Sequence, residues 1–170
     1  MRSRFAAALL GVALAGSVSS GPALAQTVQL LGDFNAWSAY SASEGGARLC
    51  FSLTKPTAVQ PSPEGYTDAY LYVTHRPDEG VRNEINLVAG VALAPDSTAT
   101  VTVGGQSWQL FTQADAAWLE NSGQTDALAQ AIRAGANLTV EATTAAGIRF
   151  TQTYSLSGAT ASARAIDGAC

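Results

Sequence analysis

The sequence predicts a mainly β protein, an antiparallel β-sandwich-like domain with one clear α-helix at about 125–134 and a short C-terminal helix. Alternation of apolar and polar residues with a period of two recurs along the chain, which is typical of strands with one buried face. Glycine- and proline-containing turn signals separate these runs about every dozen residues. Only one segment combines helical spacing with matching end signals. Alternating strands with such frequent turns favour an antiparallel sandwich or a strongly curved sheet over a βαβ fold.

The chain opens with the three parts of a secretory signal peptide. Arg2 and Arg4 form a positive start, residues 5–18 are apolar and uncharged, and Ala23-Leu24-Ala25 is a small-residue cleavage site. The apolar run of about 14 residues is shorter than the roughly 20 that a spanning helix needs, so it does not predict a membrane anchor. We therefore expect cleavage after Ala25.

Cleavage at that point divides the chain into a signal peptide, residues 1–25, and a single β-rich domain, residues 26–170. The mature part contains no apolar stretch long enough to span a membrane. Removing two arginines from nine Lys and Arg leaves seven against thirteen acidic residues, a net charge of −6. An acidic balance of this kind argues against a nucleic-acid partner, and a hydrophobic content of 47% argues against disorder.

The first half of the mature chain reads as strands that are separated by turns. A run at 48–54 alternates Leu49, Phe51 and Leu53 with polar or small residues, which puts Cys50 on the face opposite those three. Four proline or glycine positions make 55–66 a loop. The predicted strands are 33–42, 48–54, 68–74 and 83–91, with turns at 44–46 and 76–80.

The second half contains a hairpin, the helix and a terminal pair of strands. Gly104-Gly105 between the alternating runs 98–103 and 106–112 is a signal for a tight hairpin, since glycine accepts a positive φ. The helix is expected to begin at an N-cap Thr125 and to end at Gly135 in the C′ position. The terminal strands are predicted at 137–143 and 148–156, and the Ala-rich tail 160–167 is a candidate short helix.

Two cysteines, Cys50 and Cys170, remain after processing. In an oxidising compartment we expect them to form one internal disulfide, which would close a loop of about 120 residues and contribute on the order of 4–5 kcal/mol before strain. Two free thiols, or a Cys170 that bonds a partner, are the alternatives. No second Cys or His lies at ligand spacing from either cysteine, so no metal site and no cofactor are predicted.

The sequence contains no recognisable catalytic signature. His75 is the only histidine, and no G-x-S-x-G motif accompanies it, so we expect it to end a strand rather than to act as a catalytic base. Trp108 and Trp118 are candidates for anchoring a partner, because buried aromatic side chains contribute heavily to protein interfaces; packing in the core is their other interpretation.

Several short segments of the mature chain are informative when their order and spacing are taken together. The central segment 72–84 reads YVTHRPDEGVRNE, and VTVGG at 101–105 follows it. Further segments are LF at 110–111, AWL at 117–119, AIRAG at 131–135, LTV at 138–140, Gly147 and YSLSG at 154–158. In this order and spacing they resemble the invasion-associated locus B family. Ala159 departs from the family pattern, which often has Phe or Leu there.

The resemblance implies an exported β-sandwich-like protein in the periplasm or at the cell surface of a Gram-negative bacterium. It brings no established catalytic residues. We therefore expect a non-enzymatic envelope protein that binds another protein or an envelope component, with the partner itself unknown. A periplasmic carrier of a small ligand and, less favoured, a hydrolase that uses His75 are the alternatives.

Overall fold

The computed structural model describes residues 27–170, so the predicted signal peptide and its cleavage site lie outside the described residues. The mainly β, sandwich-like architecture with two α-helices is confirmed. The strands are β1 Thr27–Phe34, β2 Trp37–Glu44, β3 Ala47–Thr54, β4 Ala58–Gln60, β5 Tyr70–Arg76, β6 Val81–Val88, β7 Thr98–Val103, β8 Gln106–Gln113, β9 Ala116–Leu119, β10 Asn137–Thr143 and β11 Arg149–Ser155. The helices are α1 Thr125–Ala134 and α2 Ala159–Ala169, with 3₁₀ turns at Pro77–Glu79 and Ser122–Gln124.

All eleven strands belong to one antiparallel sheet, in the order β1-β2-β3-β5-β6-β9-β8-β7-β10-β11-β4. The sheet curves so that its two ends meet across the core. Trp37 on β2 donates from its indole Nε1 to the carbonyl of Ser155 on β11 at 3.1 Å, although the two strands are far apart in the sheet order. Gln152 on β11 likewise donates to the carbonyl of Ala89, just after β6, at 2.8 Å.

The core lies on the concave, inner face of this sheet. Large side chains from β7, β8, β10 and β11 fill it, and the indole of Trp37 joins them from the other half. The Tyr154 hydroxyl is buried among them and donates to Gln152 at 2.8 Å, so its polar atom is satisfied. Burial also raises the pKa of Tyr154, which keeps the phenol neutral.

Most predicted strands and the hairpin turn at Gly104-Gly105 are present within one or two residues, but three strand assignments differ from the structure. The first predicted strand, 33–42, is the end of β1 and the start of β2, because Asn35 takes a left-handed φ of 53° and forms a turn between them. The loop 55–66 contains the short strand β4, which pairs with β11. Strand β9 was not predicted, because its four residues are too few to show a period.

Both ends of α1 differ from the prediction. Thr125 lies inside the helix, and a 3₁₀ turn capped by the Asn121 side chain precedes it. Gly135 follows the helix with an extended backbone, φ −81° and ψ 168°, rather than the left-handed C′ conformation. A Cβ at Gly135 would lie 2.6 Å from Val103, so close packing rather than a positive φ favours glycine at this position.

Helix α2 packs against β1, β2 and β3, and its start requires a glycine, Gly158. Gly158 has a φ of 97°, and a Cβ there would lie 1.7 Å from the carbonyl oxygen of Phe34. Beside it, Ala36 donates its backbone N–H to Ser157 at 3.1 Å. The turn between β1 and β2 is thereby fixed against the chain that enters α2.

Candidate functional site

Strand β3 carries its large apolar residues on the outer face of the sheet, where an ordinary core strand carries polar residues. Cys50, Ser52 and Thr54 are buried on the inner face, and the side chains that alternate with them lie on the outer face, half exposed. The predicted separation of Cys50 from the apolar residues is therefore confirmed. The outer face, however, is the apolar one.

The neighbouring strands continue this outer surface. Cross-strand partners lie on the same face, and Tyr40 pairs with Phe51, Leu53 with Tyr72, and Phe111 with Trp118. We call the following residues the apolar outer face: Val28, Leu30, Tyr40, Leu49, Phe51, Leu53, Tyr70, Tyr72, Val88, Phe111 and Trp118. They come from seven strands that are adjacent in the sheet, β1, β2, β3, β5, β6, β9 and β8.

The aromatic rings of this face contact one another across the strands. Tyr40 and Phe51 stack with ring centroids 5.2 Å apart, and Phe51 contacts Tyr72 at 6.1 Å. A second pair, Phe111 and Trp118, stacks at 5.7 Å. These separations lie within the range in which aromatic pairs attract, so the rings support one another laterally.

Two depressions open on the apolar outer face, and both are lined by Tyr72. One, of about 420 Å³, lies between Phe51 and Trp118. The other, of about 710 Å³, lies between Tyr40 and Tyr70. Burial raises the pKa of the Tyr72 phenol, with Tyr70 adding to the effect, so its hydroxyl stays protonated and able to donate a hydrogen bond.

Basic side chains at the rim of this face are already paired. Lys55 lies 3.2 Å from Asp68 and 5.1 Å above the Tyr70 ring; these two partners raise the pKa of its ammonium group. Arg76 binds Glu84 on β6, which raises the pKa of its guanidinium group. Arg76 also binds Glu79 at 3.1 Å, so the basic groups of the rim are fully paired, and the contacts offered between these pairs are mainly apolar and aromatic.

The two tryptophans proposed as anchors have different positions. Trp108 on β8 is 5% exposed and faces the core opposite Val101, so it contributes to packing and is not on the surface. Trp118 on β9 is half buried on the apolar outer face and lines the smaller depression. Only Trp118 is therefore placed where a partner could contact it.

A second cluster lies on the inner side of β3, at the end of α2. The disulfide between Cys50 and Cys170 is present, with Cα atoms 6.0 Å apart and a sequence separation of 120. Cys50 is directly opposite His75 on β5. Arg82 adds a hydrogen bond to the Cys170 carbonyl at 3.0 Å, so this cluster joins α2 to three strands.

His75 is enclosed in this cluster, and both its ring nitrogens are occupied. The backbone N–H of Asn83 donates to Nδ1 at 3.0 Å, so Nδ1 is the acceptor nitrogen and the proton is on Nε2. Nε2 in turn donates to Asp167 at 2.9 Å. With 1% exposure and no free nitrogen, the imidazole is arranged as a hydrogen-bonded link between β5, β6 and α2.

Sequence reasoning did not find the partners of His75 or most of the apolar outer face. Asp167 is far from His75 along the chain, and only the folded sheet and α2 bring it to His75 and Arg82. One signal for the outer face was available. The run 69–73 is apolar at every position, which indicates a strand with apolar residues on both faces.

Within residues 27–170, no helix is long and apolar enough to cross a membrane. The same residues contain no group of three or more His, Cys, Asp or Glu side chains suited to holding a metal ion.

A family model described as Invasion associated locus B (IalB) protein matches residues 37–167, most of the chain. No curated protein and no solved structure matches.

Proposed function

The chain belongs to the invasion associated locus B family, and from this premise we propose that it is an exported, non-enzymatic envelope protein that binds another protein through its apolar outer face. The family and the disulfide point to an extracytoplasmic protein, because disulfides form and persist in oxidising compartments. The signal peptide expected at residues 1–25 supports the same location.

One observation supports the binding role most strongly. Eleven apolar and aromatic side chains lie on the outside of seven adjacent strands, interrupted on β6 by Glu84 and Asn86, and no other element in residues 27–170 forms a layer over them. Large contiguous apolar patches are uncommon on soluble monomers and mark interaction sites. Aromatic side chains are enriched in the buried centres of protein interfaces.

The partner surface that fits this site is apolar at its centre and carries few unpaired charges. The rim pairs formed by Lys55 and Arg76 would otherwise have to be broken on binding, with a cost in desolvation. We infer that Phe51, Tyr72 and Trp118 are the central contacts, because they line the smaller depression from three strands.

Site-specific photo-crosslinking in the producing cell tests this proposal. A photoreactive phenylalanine at Phe51 should give crosslinked protein adducts, and the same group at Thr139, on the outer face of β10, is the matched control. Mass spectrometry identifies the adduct, and Tyr72→Thr should weaken binding of that purified partner about tenfold or more. Equal crosslinking from both positions, or none from Phe51, would contradict the proposal.

A small-ligand carrier is a second candidate function, because the two depressions at Tyr72 have volumes typical of small-molecule sites. Native mass spectrometry of protein released gently from the envelope distinguishes the two functions. A bound species of a few hundred daltons that Tyr72→Thr removes would favour the carrier. Protein that carries no such species, together with adducts from Phe51, would favour the protein-binding role.

A further inference from the structure

We propose that β1 is an intermolecular edge, on which a second copy of this chain pairs antiparallel about Gln29 to form a two-fold dimer. The proposal does not depend on the function of the apolar outer face. It follows from how the two edges of the sheet are built.

The two edge strands differ in how they are protected. Strand β4 has three residues, and Pro56 and Pro61 flank it closely, so it offers little backbone for pairing. Strand β1 has eight residues without Pro, Lys or Arg. Among the described residues it pairs only with β2, which leaves its other side without a partner. Exposed edge strands of this length usually carry features that prevent pairing with another chain. In β1 the main such feature is a bulge between Leu30 and Gly32.

The first half of β1 is open on both of its faces. All four residues from Thr27 to Leu30 are exposed, including two large apolar side chains, Val28 at 57% and Leu30 at 50%. Both of these point to the apolar outer face, because they pair with Ala42 and Tyr40 of β2. An added strand would extend the sheet and place its own outward side chains beside Val28 and Leu30.

The sequence of β1 fits a second copy of itself. Antiparallel pairing about Gln29 places Val28 opposite Leu30 of the second copy and Leu30 opposite its Val28, on the same face. Gln29 lies opposite its own counterpart, where the two amides can hydrogen-bond to each other. A two-fold axis midway between the two Gln29 residues therefore satisfies both copies at once, as an isologous interface requires.

Among the surfaces of the chain, the edge of β1 opposes a second copy least by charge. The mature chain is expected to carry a net charge of −6, so two copies repel each other over most of their surfaces. Residues 27–32 carry no charged side chain, and Asp33 beyond them binds the hydroxyl of Ser38 at 2.6 Å. The edge of β1 is thus a neutral strip along which like-charged copies can approach.

Sedimentation equilibrium of the purified mature protein tests the association directly. We expect a monomer–dimer equilibrium with dimer present at about 200 µM, because association of copies follows mass action. Leu30→Lys, which places an ammonium group in the apolar pair of each copy, should weaken the dimer about tenfold or more. Ile148→Lys is the matched control, since Ile148 is 46% exposed beside β11, far from β1, and this variant should dimerise like the wild type.

Disulfide trapping tests the register and remains informative if Leu30→Lys folds poorly. Directly opposite Cα atoms in an antiparallel pair are about 4.5–5.5 Å apart, within the range that a disulfide bridges. Gln29→Cys should therefore give a covalent dimer on air oxidation, and Ile148→Cys should not. A wild-type protein that stays monomeric, a dimer that Leu30→Lys leaves intact, or equal trapping at both positions would overturn the proposal.

Discussion

Strands β3 and β10 belong to the two halves of one sheet and alternate in opposite senses. In β10, Leu138, Val140 and Ala142 are buried on the inner face, and polar residues such as Thr139 and Glu141 lie outside. In β3 the inner face carries Cys50, Ser52 and Thr54, and the apolar residues lie outside. Backbone pairing is antiparallel and regular in both strands, so neither pattern is required to form the strand.

The outer face is polar on β7, β10, β11 and the first part of β8, and we call this the polar half. Its outward residues include Thr98, Thr100, Thr102, Ser107, Gln109, Thr139, Glu141, Thr151 and Thr153. Threonine is β-branched and favours strands, so it supplies strand propensity without apolar exposure. The aromatic residues in the other half are therefore not explained by strand formation. What they offer, and threonine does not, is a large apolar contact area.

The inversion has a cost for the interior at β3. Its small and polar inner side chains bury less apolar area than leucine and valine, so hydrophobic stabilisation is weaker along this strand. This part of the sheet is held in addition by α2, the disulfide and the hydrogen bonds of His75. Changes to these features should therefore affect the two halves differently.

Removing the disulfide should have the largest effect. In the Cys50→Ala/Cys170→Ala variant the free energy of unfolding should fall by about 3–5 kcal/mol, because the unfolded chain regains the freedom of a long loop. The thermal midpoint should fall by roughly ten degrees, at about 2–4 °C per kcal/mol. Hydrogen exchange should quicken in β1–β3 and α2 more than in β7, β10 and β11.

Wild-type protein treated with a reductant is the control for that variant, since it loses the bond without a change in sequence. Its thermal midpoint should fall by a similar amount. Uniform acceleration of exchange over both halves, or an unchanged midpoint, would contradict the difference that we draw between them.

His75→Gln should have an intermediate effect. The loss or distortion of two buried hydrogen bonds is expected to lower the free energy of unfolding by about 1–3 kcal/mol, measured by urea denaturation. Asp167→Asn is the milder partner variant, because its amide oxygen still accepts from Nε2. Binding of a partner at the apolar outer face should be unchanged in both variants. If His75→Gln abolished a measured turnover and left stability intact, its structural role would be wrong.

Exchanging outer-face residues between the halves should change stability least. Tyr72→Thr gives the apolar half a residue typical of the polar half, and we expect a loss of about 1 kcal/mol, since the ring contacts with Phe51 and Tyr70 are lost. The reciprocal Thr139→Tyr should stay within about 0.5 kcal/mol of the wild type. Urea denaturation of both variants measures this. A loss above about 3 kcal/mol for Tyr72→Thr would mean that the outer aromatics serve folding.

Sequence patterns identified most strands because alternation and glycine turns are local features. The hairpin at Gly104-Gly105, helix α1 and the tail helix were predicted within one or two residues of their bounds. The disulfide followed from the count of cysteines and the expected compartment. The family resemblance, drawn from short motifs, is also confirmed.

What the sequence could not supply is the spatial order of strands and the side of each strand that faces inward. Alternation in β3 separates two faces, but the usual assumption that apolar means inner assigns them the wrong way round. Pairings such as β6 with β9 and β7 with β10 join segments that lie far apart in the chain. The contact of His75 with Asp167 depends on all of these long-range pairings, so no local pattern predicts it.

The position of the disulfide also determines how this protein would bear tension. A pull between a point upstream of Cys50 and one at Cys170 or beyond passes through the bond directly into β3. Residues 51–169 lie outside that load path and stay unstretched as long as the bond is intact. Only the chain from residue 27 to Cys50 can extend, by at most about 80 Å at roughly 3.3–3.6 Å per residue. If the protein were anchored in this way between a cell and its surroundings, tension would unfold β1 and β2 and leave most of the fold intact.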